Sequence, residues 1–181
     1  MKKLAFLTAT AIPVFFASQA FSFSDNTISF QGEVTAETCS VTINGNSAKP
    51  VVLLPSVNAS SLSAAGQTAG QATFDIGVSG CTGSADAETK ISSVFAGNSV
   101  ATTGDLSNVA TTDAATNVNI QILDTKSTAI DFSSPFTADG DLKLAAGETA
   151  ATATYTAQYI ATGKATAGAV ESTMQYAVSY N

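Results

Sequence analysis

Apolar side chains in this chain recur at every second position in one short segment after another, and no segment shows a convincing helical period. A period of two belongs to β-strands with one buried face, so the chain is restricted to packing as sheets. "TISFQGEVT", residues 27–35, puts Ile28, Phe30 and Val34 on one face and Ser29, Gln31, Glu33 and Thr35 on the other, with Gly32 on the apolar side. A glycine there packs nothing and weakens the strand unless another surface must approach closely. "TCSVTI" aligns Cys39, Val41 and Ile43 and ends at the turn Asn44–Asn46. "VVLLP" is a short apolar run closed by Pro55 and followed by a Ser/Ala/Gly loop.

The pattern continues downstream. "ATFDIGVSGC" sets Phe74, Ile76 and Val78 against Asp75, Gly77 and Ser79, and "KISSVFAG" is a weaker strand. Residues 98–116, rich in Thr, Ala, Asn and Gly, read as loop. "NVNIQILD" turns Val118, Ile120 and Ile122 inward and Asn117, Asn119 and Gln121 outward. In "DLKLAAGETAATATYTAQYIATG", Ala153, Tyr155, Ala157 and Tyr159 share a face opposite threonines, and in "GAVESTMQYAVSYN" the residues Met174, Tyr176, Val178 and Tyr180 alternate. Six or seven short strands joined by loops predict one all-β, immunoglobulin-like sandwich. A small outer-membrane β-barrel is the competing all-β solution, but its strands need about 9–11 residues and aromatic girdles.

The front of the chain speaks to compartment. Lys2 and Lys3 precede an apolar run, Leu4 to Ala17, and small residues at Ser18 and Ala20 complete the pattern of a cleavable signal, residues 1–20. Cleavage leaves 161 of the 181 residues, with 5 Lys, no Arg and 14 acids, a net charge of −9. Nucleic acid and anionic membrane surfaces are disfavoured partners for such a chain. Cys39 and Cys81 are the two cysteines, and in an exported protein the economical reading is one disulfide. Such a bridge would constrain the unfolded chain by about 4 kcal/mol in the loop-entropy account.

Catalytic chemistry finds little support. The chain has no histidine, which removes the commonest general base and metal ligand. Two thiols without histidine make no zinc site, and no cofactor motif is present. The acids are dispersed except for Asp139 and Asp141, whose D-G-D reads as a solvated turn, too poor in oxygen ligands for calcium. "GQTAGQ" carries no lysine and opens no helix, so it is not a phosphate loop. The Asn58-Ala59-Ser60 sequon has little weight behind a bacterial-looking signal.

Three linked motifs together resemble one family. "TISFQGEVTAETCSV" resembles the start of mature pilins of the chaperone-usher pathway, the type 1 fimbrial major-subunit family. "LSAAGQTAGQATFDIGVSGC" resembles the approach to the second pilin cysteine. "GAVESTMQYAVSYN" resembles the pilin terminus, with Gly168 fourteenth from the end and Tyr180 penultimate. The resemblance implies an incomplete immunoglobulin-like sandwich of six own strands, 38–181, whose last strand is supplied in trans, preceded by a donor-strand extension, 21–37. Ile28, Phe30, Gly32 and Val34 would be the donated face. Gly168, Val170, Met174, Tyr176, Val178 and Tyr180 share even parity and would border the groove that a chaperone reads.

The partners so implied are a periplasmic pilus chaperone, an outer-membrane usher, identical subunits in a head-to-tail fibre and a tip adhesin subunit. Strand addition of this kind takes affinity from main-chain hydrogen bonds and specificity from alternate side chains. The expected product is a structural subunit exported through the periplasm to an extracellular fimbrium that supports adhesion. A minor subunit, or an adhesin with direct receptor binding, is the alternative within the family. A tip adhesin would be roughly twice as long, and bland Ala/Thr loops favour the major shaft subunit.

Overall fold

A computed structural model describes residues 39–180. Along that stretch run β1 (Ser40–Ile43), a single 3-10 turn (Ala59–Leu62), β2 (Thr68–Ser79), β3 (Thr89–Gly97), β4 (Leu106–Ser107), β5 (Val118–Leu123), β6 (Phe136–Leu144), β7 (Ala150–Ala161) and β8 (Met174–Tyr180). They form two antiparallel sheets, of order β1-β2-β7-β5-β4 and β6-β3-β8. The signal at 1–20 and the extension at 21–37, with Ile28, Phe30, Gly32 and Val34, lie outside the described residues.

Alternation makes the core. Phe74, Ile76 and Val78 of β2, Ala153, Tyr155 and Ala157 of β7, and Ile120 and Ile122 of β5 are buried from one sheet; Ile91 and Phe95 of β3 and Leu142 and Leu144 of β6 meet them from the other. Tyr155 sits at the centre, its ring stacked 5.8 Å from Phe74 and edge-on 5.0 Å from Phe95, so one aromatic trio crosses both sheets. Cys39 and Cys81 are joined by a disulfide with their Cα atoms 4.4 Å apart. The bridge ties the start of β1 to the end of β2, where Ser40 already pairs with Ser79.

The strands number eight among the described residues, not six or seven, and the difference has two sources. A two-residue strand, β4, lies inside the stretch read as loop, where no two-residue run can display a period. The other source is β6. Asp139, Gly140 and Asp141 are not a solvated turn but a bulge within that strand: Ile91 pairs with Leu142 and Ser93 with Ala138, so two steps on β3 span four on β6.

Gly140 accommodates the kink at φ +60°, and its N–H donates to Ser92 Oγ at 2.9 Å. Asp141 is thereby turned toward the interior. It accepts hydrogen bonds from the Ser93 N–H (2.8 Å), the Ser93 hydroxyl (2.7 Å) and the Tyr155 phenol (2.6 Å). "KISSVFAG", read as the weaker strand, is consequently the central strand of its sheet. Its two buried serines find polar partners where an apolar residue would be expected.

Candidate functional site

Antiparallel β8 pairs with β3 through seven residues, Gly97 opposite Met174 to Ile91 opposite Tyr180, and is the last strand of its sheet. Alternate N–H and C=O groups on its far side are therefore presented without a ladder partner among the described residues. Met174, Tyr176 and Val178 are half-buried and pack on the core, while Gln175 and Ala177 are exposed. The strand thus faces the core on one side and, among the described residues, has no further strand along its other edge.

Beside that edge lies a groove of about 630 Å³. Its lining includes Ile43, Phe74, Ile120, Ile122, Ala157 and Tyr159 from the first sheet, Leu106 of β4, the run Pro50–Leu54, and Val170, Met174 and Tyr176. The polar side chains of the lining are Glu171, Ser172 and Thr173, just ahead of β8, and the phenols of Tyr159 and Tyr176. A small-molecule site of this size ordinarily converges several polar groups on its ligand. This groove instead continues the hydrophobic core into solvent. Tyr159 stands in the wall with its phenol pKa pushed up by burial, and its ring crowds the would-be Cβ of Gly70 at 2.7 Å, where β2 carries its own bulge.

The run "VVLLP" is the feature that alternation alone undervalued. Val52 and Leu54 pack against the core, whereas Val51 is 72% and Leu53 83% exposed, so the segment has the period of a strand. It belongs to neither sheet, and no backbone hydrogen bond among the described residues reaches 51–57. The groove therefore touches two strand-like segments, β8 and 51–54, neither of which has a ladder partner on its groove side among the described residues.

The six residues expected to border the groove separate into two groups. Met174, Tyr176, Val178 and Tyr180 are on β8. Gly168 and Val170 precede the strand, because the chain there is drawn onto the loop at 113–115 instead of continuing the β8 ladder. Ala169 donates its N–H to Asp113 O at 2.7 Å and accepts one from Ala115 at 2.9 Å. A Cβ on Gly168 would collide with the backbone of Asp113 and Ala115, so glycine is needed for this close approach. Val170 still lines the groove, while Gly168 acts as the clamp behind it.

Side chains hold the lead-in. Asn108 donates through Nδ2 to Ala115 O (2.9 Å) and Ala169 O (3.0 Å), and its Oδ1 accepts from Ala110 N (3.1 Å) and Glu171 N (3.0 Å). The Ser172 hydroxyl donates to Ser107 O at 2.6 Å. At the other end of β8, the Cys39 N–H donates to the Tyr180 phenol oxygen at 2.8 Å. The penultimate tyrosine thus fastens the last strand to the disulfide.

Comparison with known proteins places these features in context. A family model described as fimbrial protein matches residues 28–181. An F17 fimbrial protein of Escherichia coli is 35% identical over 184 residues, spanning 99% of this chain and 99% of its own length. Among solved structures, the type I fimbria protein BPSL1626 of Burkholderia pseudomallei superposes with a TM-score of 0.54 at 24% identity, over 80% of this chain and 95% of that one. The P pilus rod subunit PapA superposes with a TM-score of 0.57 at 17% identity, over 78% of this chain and 99% of that one. At those identities the structural likeness speaks for the fold alone.

Proposed function

This chain belongs to the fimbrial protein family and is a structural pilus subunit, and on that premise we propose that it builds the shaft of a surface fimbria as the major subunit, taking residues 27–35 of a second copy into its groove. The observation that carries the reading is that β8 is an edge strand among the described residues, beside an apolar groove that is continuous with the core. An added strand supplies what both need: main-chain groups for the edge and apolar side chains for the groove.

The dimensions agree. Nine residues in strand geometry extend about 30 Å and the seven of β8 about 23 Å, so the stretch covers the open edge. Burying Ile28, Phe30 and Val34 is worth about 1.5–3 kcal/mol each before the cost of ordering the segment. Gly32 falls where the donated strand passes closest to the acceptor's core. Before polymerisation a periplasmic chaperone occupies the groove, and the exchange takes place at an outer-membrane usher, with a tip adhesin subunit capping the fibre. The finished fibre is extracellular and supports adhesion through its tip.

The mature chain expressed without a chaperone should be poorly stable or self-associate. A copy of residues 21–37 fused after Asn181 through a flexible linker should give a stable monomer. If the unfused chain proves a cooperative, reversible monomer that gains nothing from the added strand, the reading fails.

A further inference from the structure

Four large apolar side chains are exposed among the described residues: Val51, Leu53, Val57 and Val109. Two of them line the groove beside β8, and the other two lie next to residues that line it. Val51 and Leu53 belong to its lining run, Val57 crowds with Tyr159 over Gly70, and the Val109 N–H donates to the carbonyl of groove-lining Glu171 at 2.8 Å. A strand added beside β8 lies in the plane of the sheet and leaves outward side chains such as Val51 and Leu53 uncovered. A run apolar at both parities, as "VVLLP" is, is characteristic of a strand buried on both faces.

What covers them follows from the length of chain ahead of Cys39. Residues 36–38 alone separate the donated stretch, 27–35, from Cys39 of the copy that donates it. Four peptide steps reach at most about 14 Å. The body of the donating copy must therefore rest at the mouth of the groove, presenting the end that carries its Cys39–Cys81 bridge. Ser40, Ser79, Gly80 and Thr82 are exposed there and small and uncharged, next to exposed Glu148, whose neighbour Thr149 accepts the Cys81 N–H at 3.0 Å, and a Cβ on Gly80 would meet nothing within 4 Å.

We propose that the collar formed by Val51, Leu53, Val57 and Val109 seats the Cys39–Cys81 end of the donating copy, a heterologous contact that sets the stiffness of the fibre. The inference rests on the groove accepting a second copy's extension, and its test separates the two. Wild-type fibres would be compared with fibres of Val109→Ser, which removes a collar side chain outside the groove lining, and, on the opposing face, of Thr82→Glu. The fused monomer carrying residues 21–37 after Asn181 controls for folding.

Both variants should leave the fused monomer's melting temperature unchanged and still form detergent-resistant multimers. Their fibres should bend more, with a persistence length several-fold shorter by electron microscopy. An unchanged persistence length overturns the collar and leaves the groove reading intact. Multimers lost in the variants alone also count against it, because seating the body is not required to fill the groove. Absence of multimers in the wild type overturns the groove reading itself, and the collar with it.

Discussion

Gly168 and Tyr155 show how much a single position carries. Gly168→Val would force the backbone of Asp113 and Ala115 away and release the lead-in to β8, so the fused monomer should lose several degrees of melting temperature. Tyr155 is held in its protonated form: burial, then its hydrogen bond to the Asp141 carboxylate, push the phenol pKa well above the ordinary value near 10. The folded state thus binds this proton more tightly than the unfolded chain does. The associated stability is fully present below about pH 10, where both states are protonated, and is lost as pH rises toward the folded-state value. Tyr155→Phe should cost about 1–3 kcal/mol at neutral pH by orphaning one acceptor position of Asp141. It should also flatten the decline in stability above about pH 10 relative to the parent, as read from denaturant unfolding across pH. Gly32→Leu should leave folding with a chaperone intact and block polymerisation; normal fibres from that variant would show that close approach is not the role of Gly32.

At the scale of elements, the informative segments are those with incomplete ladders. Residues 51–57 have no backbone partner among the described residues, although Val52 and Leu54 pack on the core. Their amides should exchange with solvent rapidly in a chain with an empty groove, and about tenfold or more slower in the fused monomer, because a filled groove supplies main-chain partners. Equal exchange in both would show that the added strand does not pair there. The elements most legible in the sequence were β5, β7, β8 and the second half of β2, whose apolar residues alternate; the first residues of β2, Thr68–Gly70, fell in the stretch read as loop because a bulge between Ala69 and Ala72 interrupts the period. β6 was illegible because its bulge breaks the alternation and turns an aspartate inward, and propensity offers no signal for a carboxylate whose partners come from β3 and β7.

The described residues form a sandwich in which β8 is an edge strand, with an apolar groove beside it. Domains of this size have about 5–15 kcal/mol of stability, so a shortfall of a few apolar side chains and a row of hydrogen bonds consumes much of it. The disulfide then acquires an added role. Replacing both Cys39 and Cys81 with Ser should cost about 4 kcal/mol by restoring freedom to the unfolded chain. In the fused monomer this should appear as a lowered melting temperature, and in the unfused chain as failure to accumulate even with a chaperone. A double variant that accumulates normally would mean the unfolded chain is not being restrained as the loop model supposes.

The sequence by itself determined the class of fold, the pairing of the only two cysteines and the strand that ends at Tyr180. Each of these follows from local period or simple counting, which survive without knowledge of neighbours. The tertiary structure alone decided that Gly168 clamps a loop instead of joining the last strand and that Asp141 serves Tyr155. It alone also decided that "VVLLP" forms part of the groove wall. Those roles depend on which distant segments meet, and contacts between residues far apart in the chain leave no periodicity in either partner.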